Sequence, residues 1–130
     1  MDGVYQVLIC DDVPAVREAL RWAFEDEPDL AIIGEAGDGL DVLRQAARLA
    51  PDVVILDIEM PGLDGYSVAR RLKGGRRPPV VIFLTVHCGP AARQRGMQAG
   101  GDAFVEKGTG WPELIGQVRN LLTNRQHPLP

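Results

Sequence analysis

Two short apolar runs decide most of what this chain can become. Val53-Val54-Ile55-Leu56 and Val80-Val81-Ile82-Phe83-Leu84 are unbroken by polar residues, rich in β-branched side chains and bounded by turn formers. Such a run reads as a strand buried on both faces, which a sheet provides only when helices cover both of its sides. The first run ends abruptly in Asp57, and Ile58-Glu59-Met60-Pro61-Gly62-Leu63-Asp64-Gly65 follows. Asp57 is therefore expected at the carboxyl end of a central strand, where open α/β sheets bind their ligands.

The other segments alternate between the two periods. Val4 to Cys10 reads as a strand and also runs into acids, Asp11-Asp12. Pro14 suits the first turn of a helix, where its missing N–H costs nothing. Val16, Ala19, Leu20, Ala23 and Phe24 then recur at helical spacing. Trp22 falls off that face; it caps the edge of the core or marks a partner surface, and burial preference favours the core edge. Leu30 to Ala36 reads as a second strand. Asp38 can cap a helix carrying Leu40, Leu43, Ala46, Ala47 and Ala50.

After the Asp57 loop, Asp64 or Gly65 opens a helix with Val68, Ala69 and Leu72 on its apolar side. Arg76-Arg77-Pro78-Pro79 reads as a stiff, solvated connector. The segment Ala91 to Gln98 is a poor helix: nothing caps it, and Gly96 costs about 1 kcal/mol relative to Ala. Ala103 to Glu106 makes a last strand that runs into Lys107. From Pro112 a final helix buries Leu114, Ile115, Val118, Leu121 and Leu122. Five strands alternating with five helices predict an α/β fold, a doubly wound five-stranded parallel sheet in the order 2-1-3-4-5.

At 130 residues one domain is expected, over 1–124, with 125–130 a frayed tail or the start of a linker. A net charge of −4 and a pI of about 5.1 lack the basic footprint of a nucleic-acid binder. No segment has the length of a membrane span and the start of the chain does not resemble a cleaved signal, so a cytoplasmic location is expected. Cys10 and Cys88 read as reduced thiols, without zinc spacing. Neither a phosphate-binding glycine loop nor a nucleophile elbow is present, which removes P-loop hydrolysis and elbow-type serine chemistry.

The predicted strand order brings Asp11, Asp12, Asp57 and Thr85 to one edge, with Lys107 in reach. Taken singly, these are turn acids, a strand threonine and a surface lysine. Together, three carboxylates repel and raise one another's pKa unless a cation joins them. An all-oxygen site with room for water suits Mg2+ better than zinc. Asp57 can then attack phosphorus and become an aspartyl phosphate. Lys107 and the Thr85 hydroxyl are placed to stabilise phosphoryl oxygens.

The combination of Asp11-Asp12, the run from Asp57 to Gly65, Thr85 and Phe104-Val105-Glu106-Lys107 resembles the receiver domain of bacterial two-component response regulators, with a flavodoxin-like fold. The resemblance implies a signalling module rather than an enzyme, phosphorylated on Asp57 by a histidine kinase or phosphotransfer protein. It also implies Mg2+ held by Asp12, by Asp11 through water, by Asp57 and by the backbone carbonyl of Glu59. Thr85 and Phe104 look like the switch pair, altering the surface of the poor helix, the last strand and the last helix.

Glu59 and His87 occupy positions that tune phosphoryl lifetime in such domains; the alternative is that both simply face solvent. Many receivers have proline after the lysine, whereas Gly108 stands here, a variation familiar from receivers of the NarL/LuxR type. That lends support to a DNA-binding output outside these residues, without direct nucleic-acid binding by this domain, and it leaves a homodimer open. The competing reading is a Mg2+-dependent phosphatase or phosphotransferase on small substrates. Such enzymes place their nucleophile after the first strand in an Asp-x-Asp pattern, and here Val13 follows Asp11-Asp12.

Overall fold

Both apolar runs become central strands. The computed structural model describes residues 3–86 and 89–125. Its strands are Tyr5–Cys10 (β1), Leu30–Ala36 (β2), Val53–Leu56 (β3), Val80–Thr85 (β4) and Ala103–Glu106 (β5). Its helices are Pro14–Glu25 (α1), Gly39–Leu49 (α2), Gly65–Lys73 (α3), Pro90–Gln98 (α4) and Trp111–Arg125 (α5). The strands form one parallel sheet in the order β2-β1-β3-β4-β5, as the alternation predicts. Among the described residues no helix is long and apolar enough to cross a membrane.

The pleat sorts each run between two cores. Val53, Ile55, Ile82 and Leu84 pack with α1 and α5, against Leu20, Phe24 and Leu114. Val54, Leu56, Val81 and Phe83 face the other way, against Val42, Val68 and Leu72 of α2 and α3. Each fully buried aliphatic side chain contributes about 1.5–3 kcal/mol, so β3 and β4 anchor the domain. Acids tie the amino ends of the strands. Asp52 accepts from Gln6 N–H at 2.7 Å through its side chain, while its carbonyl accepts from Val80 N–H at 2.9 Å. Asp102 accepts from Val81 N–H at 2.8 Å and holds Lys73 Nζ at 2.6 Å.

Asp38 and Asp64 cap α2 and α3, each accepting a backbone N–H three residues on. α4 starts after Gly89 with no side-chain cap, and Gly96 is its one buried residue. α5 begins at Trp111, one residue ahead of the expected start, and Arg125 is its last residue.

Two expectations need correction. Trp22 is 73% exposed rather than at the core edge. At about 100° per residue it lies on the far side of α1 from Leu20 and Phe24, which fill the space over the sheet. In α2 the buried stripe is centred on Val42 with Leu43 and Ala46 beside it, whereas Leu40, Ala47 and Ala50 are exposed. The Asp38 cap starts the helix so that Leu40 is rotated by about half a turn from Val42.

Trp22→Ala should therefore change the unfolding free energy by less than about 0.5 kcal/mol. Phe24→Ala should cost about 3–5 kcal/mol. Urea unfolding of the two variants checks both.

Candidate functional site

The sheet itself delivers the site residues. Its hydrogen-bond ladder runs one residue past three strands: Asp11 N–H donates to Ala36 at 3.0 Å, Asp57 N–H to Cys10 at 3.0 Å and Lys107 N–H to Thr85 at 2.8 Å. Asp11, Asp57 and Lys107 are thus set by backbone pairing before any side-chain contact forms. Asp11 is 1% exposed, Asp57 6% and Thr85 0%, while Asp12 stands exposed on the rim.

Carboxylate oxygens of Asp11, Asp12 and Asp57 lie within 4.8 Å of one another. Lys107 Nζ reaches Asp11 Oδ2 at 2.7 Å and Asp57 Oδ2 at 3.5 Å. Two backbone donors complete the frame: Val13 N–H to Asp11 Oδ1 at 2.9 Å and Glu59 N–H to Asp57 Oδ1 at 3.3 Å. The Arg17 guanidinium donates to the Asp11 carbonyl at 2.5 Å and also meets Glu35 at 3.3 Å, which fixes the chain leaving β1.

Burial raises the Asp57 carboxyl above the ordinary range, and the Asp11 charge adds to it. Lys107 and the Glu59 N–H pull in the opposite direction without cancelling the rise. Burial alone would depress Lys107, but the Asp11 and Asp57 carboxylates outweigh it and hold the ammonium above its usual value. One lysine is too little positive charge for three grouped acids. Asp11 Oδ2 is buried, with the Lys107 ammonium 2.7 Å away. Oxygen-only donors and a net negative site fit a hard divalent cation such as Mg2+.

Glycine sets the loops around the site. A Cβ on Gly65 would stand 2.5 Å from the Asp57 carbonyl, so α3 can begin this close behind Asp57 only without a side chain. Gly108 has a φ of +98°, which a proline ring, fixed near −65°, cannot adopt.

Phe104 pairs in register with Phe83, their ring centroids 5.0 Å apart, and Tyr66 lies 5.7 Å beyond Phe83. α4 sits on these three rings. Arg93 lies over Phe104 at 5.8 Å and Arg95 over Tyr66 at 4.3 Å. The Tyr66 hydroxyl donates to the Ala92 carbonyl at 3.3 Å. A Cβ on Gly96 would fall 2.0 Å from the Phe104 ring, so the residue that weakens the helix also makes the seat for the ring.

The structure thus brings together Asp11, Asp12, Asp57, Lys107 and Thr85 at the carboxyl edge of the sheet. Phe104 is buried one layer away beneath α4. Glu59 is exposed beside Asp57; His87 and Cys88 lie outside the described residues. Cys10 is a buried free thiol, which burial pushes well above its usual pKa. Sequence reasoning missed Tyr66 and Arg95, and it named Gly65 without its close approach to Asp57. A glycine inside a helix, followed by an aromatic in the next strand, was the available signal for the seat at Gly96.

Residues 7–119 match the response regulator receiver domain family. Response regulator GacA of Pseudomonas aeruginosa is 32% identical over 125 residues, covering 96% of this chain and 58% of that protein. A protein-glutamate methylesterase/protein-glutamine glutaminase of Symbiobacterium thermophilum is 40% identical over 107 residues, 81% of this chain and 29% of that protein. The signal receiver domain of the response regulator NarL from Mycobacterium tuberculosis superposes with a TM-score of 0.89 at 30% identity, covering 93% of this chain and 98% of that one. The chain belongs to the response regulator receiver family, a class of signalling modules. It spans little more than half of GacA and less than a third of the methylesterase.

Gly96→Ala should destabilise the domain despite its better helix propensity, because the new methyl meets the Phe104 ring. A double-mutant cycle with Phe104→Ala, followed by urea unfolding, should show the two changes coupled rather than additive. Asp57 titrates above its unfolded value when folded, so stability falls as the pH rises through that titration. Asp57→Asn should accordingly raise the urea midpoint at pH 7 in metal-free buffer. The gain should vanish below pH about 3, where the carboxyl is protonated in both states.

Proposed function

We propose that this domain, over residues 1–124, is the phosphoacceptor of a two-component pathway and that Asp57 carries the phosphoryl group. The observation that carries this reading is a buried carboxylate between two other acids, with Lys107 Nζ 3.5 Å away. The donor is a histidine kinase or phosphotransfer protein. An Asp57 oxygen forms the new bond to phosphorus as the bond from phosphorus to the donor imidazole nitrogen breaks, and the imidazole leaves with the electron pair.

The carboxylates of Asp11, Asp12 and Asp57, with the Glu59 backbone carbonyl, would hold Mg2+. The cation supplies charge neutralisation for the acids and for the incoming phosphoryl oxygens. Lys107 already spans Asp11 and Asp57, so its ammonium is positioned for a phosphoryl oxygen without reorganisation. Glu59 N–H holds Asp57 Oδ1, which orients the carboxylate for attack from its other oxygen. Thr85, at the end of β4, contributes its hydroxyl once the phosphoryl group is in place. Glu59 and His87, each two residues past a site residue, tune how long the mark lasts.

Phosphorylation then shifts the population of the surface made by α4, β5 and α5 through Thr85 and Phe104. The output is transcriptional control through a DNA-binding domain outside this chain, in the cytoplasm. The length of GacA beyond the matched region supports a further domain in a protein of this kind.

Acetyl phosphate with Mg2+ should label the chain once, on Asp57, and should not turn over varied phosphate esters. Intact-mass measurement should find the label absent in Asp57→Asn and strongly reduced in Lys107→Ala. Steady turnover of phosphate esters would instead make the domain a phosphatase.

A further inference from the structure

Arg17 stands where helix electrostatics does not favour it. α1 opens at Pro14 with no acid in its first turn and no side-chain cap, and Arg17 is its fourth residue. A cation there faces the positive end of the helix dipole. The side chain is nevertheless half-buried and directed at the carboxyl edge of the sheet.

Two contacts divide its guanidinium. Nη1 donates to the Asp11 carbonyl at 2.5 Å, and Nε meets Glu35 Oε1 at 3.3 Å. Gly37 leaves room for the group, since a Cβ there would stand 3.4 Å from Nη1. Glu35 also takes Arg21, one turn further along α1, so its carboxylate sits between two cations. From α2, Gln45 Nε2 donates to the Glu35 carbonyl at 2.7 Å and steadies that residue in turn.

Asp11 is thereby held at each of its polar groups. Its N–H donates to Ala36 at 3.0 Å, Oδ1 accepts from Val13 N–H at 2.9 Å, and Lys107 Nζ lies 2.7 Å from Oδ2. The fourth contact, from Arg17 to the carbonyl, acts on the peptide unit that joins Asp11 to Asp12. That unit is planar, so the direction of its carbonyl sets the direction in which Asp12 leaves.

We propose that Arg17, steadied by Glu35, is a positioning residue for the divalent cation: it orients the Asp11–Asp12 peptide so that Asp12 presents its carboxylate beside those of Asp11 and Asp57. The inference rests on the cation reading of that cluster given above. Glu35 has a second part in it. A guanidinium left unpaired beside three acids competes with a metal for them, whereas pairing with Glu35 keeps Arg17 on a neutral carbonyl. Groups that orient a metal ligand from behind typically change metal affinity by roughly 10–100-fold.

The test is a Mg2+ titration of the 15N-labelled chain followed by NMR, with amide exchange in metal-free buffer as a second reading. Arg17→Met keeps the aliphatic stem and removes the donors. It should weaken Mg2+ binding roughly tenfold and speed exchange of the Val13 N–H, while the amides of α5 keep their shifts. Charge alone predicts the opposite sign, because removing a cation from beside three acids tightens Mg2+ binding. Arg21→Met loses a contact to Glu35 but none to Asp11, and should leave both readings near those of the unmodified chain. Arg17→Lys retains the charge and a donor, keeps the fold, and should fall between Arg17→Met and the unmodified chain. Glu35→Gln should also weaken binding, and its effect should disappear in an Arg17→Met background. Mg2+ affinity in Arg17→Met equal to or tighter than in the unmodified chain, or an equal loss in Arg21→Met, would overturn the positioning role alone. No Mg2+ response in the unmodified chain would overturn the cation reading and this proposal with it.

Discussion

Like charges brought out of water repel, and the carboxyl edge of this sheet is organised around that repulsion. Asp11 and Asp57 are buried a few ångströms apart because β1 and β3 are neighbours, and backbone pairing leaves neither free to withdraw. Lys107 relieves part of the strain from the far end of β5, reaching past β4 to both acids. The arrangement leaves Asp57 a poor anion by itself. Any positive charge that enters is favoured by the same electrostatics.

The scaffold is firmly held at its central strands and more loosely held at α4. β3 and β4 contribute side chains to both cores, with acids locking their amino ends. α4 has neither a side-chain cap nor a buried side chain of its own. Its hold on the domain is the three-ring row of Tyr66, Phe83 and Phe104, with Arg93 and Arg95 laid over the outer rings. Local stability therefore falls from the centre of the sheet outward along the path from Asp57 to α4.

The sheet order and the convergence of Asp11, Asp12, Asp57, Thr85 and Lys107 were legible because they follow from alternation and strand ends, which depend on few residues. The caps at Asp38 and Asp64 were legible for the same local reason. Trp22 and Leu40 were misplaced because a helix face is fixed by which side meets the sheet, and two or three apolar residues on a short helix leave that rotation open. Gly96 was read as a weakness of α4 because its cause lies in β5, a contact that local spacing does not encode. The cation–π clamp of Arg95 on Tyr66 was invisible for the same reason.

The seat at Gly96 has a consequence for how α4 and Phe104 can move. The ring fills a hollow whose roof is bare helix backbone and whose floor is Phe83. A ring that left would leave a void beneath Gly96, which has no side chain to fill it. Interiors do not tolerate empty volume of that size, so were the ring to depart the helix would have to shift with it. Neighbouring volume, rather than any hydrogen bond to the aromatic, would make the two movements one event.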